Sequence, residues 1–361
     1  MFKEFEDFEF DGKKFSELSN KYISVCFEDE MDISFGLERD MESGETNKYR
    51  REPNYFGDNY TDTLPLELHI IKDPCVYSGR SEQSFSQRDI REITRWLTSP
   101  HYPEWIVFTL PSKSVDDDAT HYCGYFNNVE PFTVGGSIMG LKLHFKCTTP
   151  FGFTDIITNT ESVVTYKSVI VENNSDEIKD YYYPTISIIP HDNGSIFICN
   201  LSDCNELDSG TLVDNFFSSL IQKAQDYATL HGYDITFTGT GAQNIVPICN
   251  NTAVQFYLTD IHTGEEKKCT AFYRTDTKAY KIVDSGFLYM SMYKDLDIEM
   301  NCQFLTINDS IGRMVTYDKL GITDVGHIYW PRLLNGNNNI LLFGNADFEI
   351  QHQESRKVGE S

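Results

Sequence analysis

From residue 139 the chain runs Met-Gly-Leu-Lys-Leu-His-Phe-Lys-Cys, so that Met139, Leu141, Leu143, Phe145 and Cys147 are apolar and Gly140, Lys142, His144 and Lys146 separate them. A period of two cannot line one face of a helix; it calls for a strand with one oily side and one wet side. The residues before it are placed to pair with that strand. Gly135-Gly136 supplies a reversal, the preceding arm carries Tyr122 and Phe126 with Tyr125 out of phase, and Thr148-Thr149-Pro150 stops the second arm. Residues 121–153 therefore read as a β-hairpin in an antiparallel sheet, whose oily face needs a cover.

The cover is upstream. Ser86 with Asp89 three residues on forms a helix-start signature, Ile90, Ile93, Trp96 and Leu97 share one helical face, and Ser99-Pro100 ends the segment. Leu64, Leu66, Leu68 and Ile70 alternate as a strand ending at Asp73-Pro74, and residues 104–108 are another. At the amino end Phe8 and Phe10 alternate before an Asp11-Gly12 turn, Phe15 follows, and residues 23–26 resume a strand. Glu28, Asp29, Glu30 and Asp32 lie in a polar stretch that could hold a hard cation or form a solvated loop.

After Phe153 the pattern restarts. Residues 183–189 and 195–199 flank Asp192-Asn193-Gly194, and Asn-Gly between alternating runs predicts a second hairpin. Thr211 with Asp214 three residues on predicts a helix start, and Val213, Phe216, Phe217, Leu220, Ile221, Ala224 and Tyr227 form its apolar stripe up to Gly232. Residues 234–237, 253–258 and 269–273 read as strands. The stretch of about 205–285 is thus a small α+β elaboration, expected to be peripheral because insertions are tolerated at surface loops. Residues 340–343 and the alternating Ala346, Phe348 and Ile350 close the chain.

Composition narrows the function. With 361 residues two domains are the default, and 30 Lys+Arg against 55 Asp+Glu leaves a formal charge of −25, which repels nucleic-acid phosphates and anionic membranes. No run approaches eighteen apolar residues and the amino terminus is acidic, so neither a membrane span nor a signal peptide is expected, and synthesis in a cytosol is. Nine cysteines include no C-x-x-C; Cys199 and Cys204 are the closest pair, with no histidine or second pair at zinc spacing. Gly239-Thr240-Gly241-Ala242-Gln243-Asn244 lacks the third glycine and following helix of a dinucleotide loop, and Gly136-Ser137 sits in a hairpin rather than a nucleophile elbow. No catalytic residue, cofactor or metal is expected.

Several segments in order resemble the distal tail proteins of long-tailed bacteriophages. They are Phe8-x-Phe10-x-Gly12 at the opening, the helix ending Arg95-Trp96-Leu97, and the Tyr122-x-Gly124-Tyr125-Phe126 strand with its Gly-rich turn and Thr149-Pro150-Phe151 exit. Pro184-x-Ile186-x-Ile188 and Leu333-x-x-Gly336-x-Asn338 continue the likeness, which covers about residues 8–155, 163–204 and 300–350. The resemblance implies a mostly β protein with few helices: a ring-forming β domain with one packed helix over 1–155, then over 156–361 a galectin- or carbohydrate-module-like β-sandwich carrying the insertion. It further implies a structural protein of the virion tail tip, assembled in the host cytoplasm as a hexameric ring. That ring would join the tail tube protein to the baseplate hub and let DNA pass unbound. Trp96, Trp105 and Tyr125 are the candidate ring-interface residues. Tyr329 and Trp330 are the candidates for stacking on host glycans. The alternative is a carbohydrate-binding protein that acts alone, with a hydrolase of unknown type third.

Overall fold

The computed structural model describes residues 7–18, 22–25, 39–43, 55–60, 63–109, 120–178, 180–214, 216–237, 247–248, 251–322 and 325–357. The Glu28–Asp32 acidic stretch and the 239–244 loop lie outside them. The chain divides into two compact units, residues 1–155 with 354–361, and residues 156–353. Both are built mainly of antiparallel strands.

The main sheet of the first unit runs in the order Lys13–Lys14, Asp7–Phe10, Glu104–Thr109, His121–Val134, Ser137–Cys147, Pro65–Lys72, Tyr22–Val25, and Arg39–Ser43 pairs with Tyr55–Tyr60 in a separate ribbon. Gly152–Phe153 attaches to His121 on one side and to Ser355–Arg356 on the other. Asp11 and Gly12 both take positive φ, 52° and 64°, the conformation a two-residue hairpin needs. The 121–147 hairpin turns through Gly135 and Gly136, also at positive φ, and carries bulges between Phe126 and Asn128 and between Phe132 and Thr133. Its oily face, with Phe8, Phe10, Ile106 and Leu66, is covered by Ile93 and Leu97 of the helix Gln87–Thr98.

That helix begins as its spacing predicts. The Ser86 hydroxyl accepts from the Asp89 amide at 3.2 Å and the Asp89 carboxylate accepts from the Ser86 amide at 2.9 Å. Lys72 then ties the helix start to the sheet, its Nζ lying 2.9 Å from Asp89 Oδ2 and donating to the Ser84 carbonyl at 2.8 Å. Burial opposes ionisation of Asp89, but hydrogen bonds from Lys72 and Ser86 outweigh it and bring its pKa down to about 2. A carboxylate depressed in the folded state contributes stability that is whole above its unfolded pKa and is lost as pH falls through the folded one. Asp89→Asn is therefore expected to cost about 2 kcal/mol at neutral pH. Its urea-unfolding difference from the parent should vanish as pH falls from about 4 to about 2; a gap constant over that range would show that charge is not the source.

The second unit is layered. An outer sheet runs Ile157–Val163, Ala346–His352, Thr185–Pro190, Ile298–Asn301, Thr306–Asp309, and a middle sheet runs Tyr166–Asn173, Gly336–Phe343, Gly194–Asn200, Phe287–Met292. The hairpin expected at Asn193-Gly194 does not form. Thr185–Pro190 pairs within the outer sheet and Gly194–Asn200 within the middle one, so the turn is an arch between sheets. Neither Asn193 nor Gly194 takes the positive φ of a tight hairpin. Asn193 Oδ1 instead accepts from the Lys294 amide at 2.9 Å, and the His191 amide donates to the Asn345 carbonyl of the parallel arch at 2.9 Å.

Between Gly194–Asn200 and Phe287–Met292, which pair with each other, the chain builds a third sheet: Glu206–Thr211, Ala279–Val283, Glu266–Tyr273, Ala253–Asp260, Tyr233–Phe237. The helix Phe217–His231 packs Leu220, Ala224 and Ala228 on its far face, against Val254, Phe256, Leu258 and Ile282. This helix starts later than expected. Thr211 is drawn into strand pairing with Ala279, and Asp214 accepts instead from the Phe216 amide at 3.1 Å and the Ser219 hydroxyl at 2.6 Å. It ends at Gly232 in the left-handed conformation, as read.

Nor is this module peripheral. Ala253, Phe272 and Val283 on its near face pack with Phe197, Cys199, Leu341 and Phe343 of the middle sheet, with the rings of Phe197, Phe272 and Phe343 5.4–5.9 Å apart. The next residues along, Ile196, Ile198, Ile340 and Leu342, point the other way into the core shared with the outer sheet. Over residues 196–199 and 340–343 the middle sheet thus has no wet side, whereas its edge strand Tyr166–Asn173 keeps Ser168, Ile170 and Glu172 exposed. Replacing residues 206–284 by a short linker is expected to expose Phe197 and Phe343, giving a chain that binds the apolar dye ANS and aggregates; a soluble, dye-silent product would show the module to be dispensable.

Candidate assembly surface

The face of the first unit's sheet opposite the helix is set by the wet phase of its strands. Cross-strand register lines up three rows: Glu67, His144 and Asn128; His69, Lys142 and Glu130; and Pro65, Lys146 and Tyr125. Glu67 is the hub, with His69 Nε2 at 2.6 Å, Lys142 Nζ at 3.5 Å and His144 Nδ1 at 3.6 Å, while His144 Nε2 lies 3.7 Å from Glu130. The hydrogen bond with His69, opposed by burial and reinforced by His144 and Lys142, holds the Glu67 carboxyl below the ordinary glutamate range. Two carboxylates are matched in these rows by two lysines, so the patch is neutral on a chain of −25.

Beside the charged rows runs a string of rings. Tyr60 meets Phe151 at 6.2 Å, Phe151 meets Phe153 at 5.8 Å, Phe153 meets Trp105 at 5.6 Å and Trp105 meets His121 at 6.3 Å, all edge-on. Trp105 and Tyr125 are 39% and 45% exposed, which leaves apolar area for a partner. Trp96, the third residue singled out for an interface, is on the covered side, stacked on Phe8 at 5.7 Å and Phe15 at 6.4 Å. Its helix presents that position to the core, against which it is partly buried. Sequence reading passed over Phe151, Phe153 and His121 as surface residues. The signal was present in the phase of 121, 123 and 125, opposite to the oily phase of 122, 124 and 126.

In the second unit Tyr329 and Trp330 pack partly against the sandwich core. Asp203, from the turn after Gly194–Asn200, organises the segment: it accepts from the Tyr329 hydroxyl at 2.9 Å and from Arg332 Nε and Nη2 at 2.7 and 3.0 Å. The Arg332 guanidinium also stacks 3.7 Å from the Tyr181 ring centre, and Asn200 Nδ2 donates to the Arg332 carbonyl at 2.7 Å. Burial first, then the Asp203 charge, pushes the Tyr329 phenol well above its usual range. Tyr329 therefore acts as a pin whose polar end is already engaged. Asp203→Ala leaves Arg332 and Tyr329 without their acceptor and is expected to cost about 3 kcal/mol of unfolding free energy in urea, with Asp203→Asn intermediate. Equal stability of all three proteins would mean that the segment is held by apolar packing alone.

Among the described residues no group of three or more His, Cys, Asp or Glu is placed to hold a metal ion, and no helix is long and apolar enough to cross a membrane. Ser137 opens the second arm of the hairpin, as its context predicted.

No curated protein matches the chain. Among solved structures it is similar to the Dit protein of phage SPP1, described as a paradigm of hub adsorption apparatus in Gram-positive-infecting phages. Identity is 12% over 96% of this chain and 98% of that one, at a TM-score of 0.47. It is also similar to a chain of the phage p2 baseplate in its activated conformation with strontium, at 11% identity over 96% and 97% of the two chains and a TM-score of 0.37. Residues 3–149, which carry the whole hairpin face and its covering helix, match the family model of a phage tail protein N-terminal domain. Over those residues, about two fifths of the chain, the protein is thus similar to the N-terminal domain of phage tail proteins.

Proposed function

We propose that this is the distal tail protein of its particle, closing as a ring of six copies at the far end of the tail tube. On this reading the ring joins the tube protein to the baseplate hub, and DNA passes through it unbound. The observation that carries the reading is the locally neutral patch beside a string of rings on one sheet face of a strongly acidic chain. Copies of a −25 protein repel one another, and exposed charges are screened beyond about 8 Å at physiological salt, so the copies must meet through apolar and backbone contacts where local charge cancels. The remaining acidity suits a channel for duplex carrying one negative charge per roughly 1.7 Å, since basic walls would add contacts to phosphate.

Mass in solution is the direct test. A ring-former should appear as a multiple of 41.5 kDa, six being expected, alone or once tube protein is added. A protein that binds host-surface sugars on its own would stay monomeric, and that result with tube protein present would remove the proposal. The double substitution Trp105→Ala, Tyr125→Ala should abolish the oligomer while circular dichroism of the monomer is unchanged. Raising salt from low to moderate should strengthen assembly or leave it unaltered; a ring that falls apart would mean that attraction between charges holds it.

A further inference from the structure

The turn that leaves the middle sheet for the module carries a pair of thiols that the assembly role does not use. Strand Gly194–Asn200 ends at Cys199-Asn200, and the Asp203 amide donates back to the Asn200 carbonyl at 3.1 Å while Asn200 Oδ1 accepts from the Ser202 amide at 3.0 Å. Cys199 and Cys204 flank this four-residue turn, whose first and last residues are held together by that backbone bond. Their side chains belong to one apolar cluster, Cys199 buried in it and Cys204 packed against it while its Sγ donates to the Leu201 carbonyl at 3.5 Å, and both cysteines are free.

The surroundings hold the pair in place. Asp203 is fixed by Arg332 and Tyr329. The Cys204 backbone lies on Gly286, where an added Cβ would come within 2.5 Å of the Cys204 Cα, and Asn205 bonds to Ser285 and Asp284 at 3.1 and 2.8 Å. The two thiols are also unlike. Cys199 is buried between the middle and module sheets, and Cys204 is partly exposed with Lys281 nearby. The neighbouring Cys199 thiol, opposed by burial and reinforced by the Lys281 charge, draws the Cys204 thiol below its ordinary range, whereas Cys199 is raised by Cys204 and by burial.

We propose that Cys204 and Cys199 are the attacking and resolving thiols of an intramolecular disulfide, made by exchange with a small-molecule disulfide, that staples the root of the module to the middle sheet. The Cys204 thiolate attacks one sulfur of the small disulfide, whose other half leaves as a thiolate and takes up a proton. The Cys199 thiol then loses its proton and attacks the Cys204 sulfur, expelling the second small thiol. Two protein thiols are oxidised and one disulfide is reduced to two thiols, so electrons and protons balance. In a reducing cytosol the pair stays open; outside the cell it closes.

Trypsin releases residues 180–223 as one peptide in which these are the only cysteines, which makes the test direct. The full chain is treated with oxidised glutathione until exposed Cys75 carries a glutathione adduct, then alkylated, digested and weighed. The expected peptide is lighter by two hydrogens and takes no alkylating agent. Cys199→Ala should instead retain glutathione on Cys204. A parent peptide with two alkylatable thiols under those conditions, or with an adduct on Cys204 as persistent as in Cys199→Ala, would overturn the proposal. If Cys199→Ala fails to fold by circular dichroism, the parent peptide alone decides.

Discussion

A strand with no wet side must be covered twice, and most of the second unit follows from that. Phe197, Cys199, Leu341 and Phe343 need one apolar partner surface, and Ile196, Ile198, Ile340 and Leu342 need another. At about 25 cal/mol per Å² of apolar surface withdrawn from water, aromatic side chains of this size dominate the packing term on each side. The outer sheet supplies the second surface through arches that hand consecutive strands from one sheet to the other. The first has to come from elsewhere in the chain, and the module brings it. Its own far side then needs the helix Phe217–His231, where the stack ends in water.

The first unit solves the same problem with a single cover. One helix protects one sheet face, and the opposite face is left to polar rows and a string of rings. The two ends of the helix-to-sheet attachment are of different kinds: Ile93 and Leu97 withdraw area from water, while Lys72 and Asp89 fix where the helix begins. A polar clamp of this sort adds direction to a contact that hydrophobic burial alone would let slide.

Much of this was legible in residue order, and the failures have physical causes. Asp11-Gly12 and Asn193-Gly194 look alike as turn signals, yet only the first takes the left-handed backbone of a tight hairpin. The second is overridden because its following strand, Ser-Ile-Phe-Ile-Cys, is apolar in both phases and belongs in the doubly covered sheet, a tertiary demand that a dipeptide does not report. That unbroken apolar run was itself the clue that a third layer was required. Residue type picks out Trp105, Tyr125 and Trp96 alike; strand and helix phase separate them, since Trp96 shares a helical face with Ile93 while Tyr125 alternates with Phe126. Asp203 gave no local signal, because Tyr329 and Arg332 reach it from more than a hundred residues away.

The pairing of Glu206–Thr211 with Ala279–Val283 bears on how the chain can fold at all. Gly194–Asn200 and Phe287–Met292 are neighbours in the middle sheet although residues 201–286 separate them, and closing so long a loop in one step delays contact formation. The module's first and last strands lie side by side, so once it has formed its two ends are already adjacent. It then acts as a tether a few residues long, and a distant pairing in sequence becomes a nearby one in space. The same segment that covers the middle sheet is thereby placed to nucleate it.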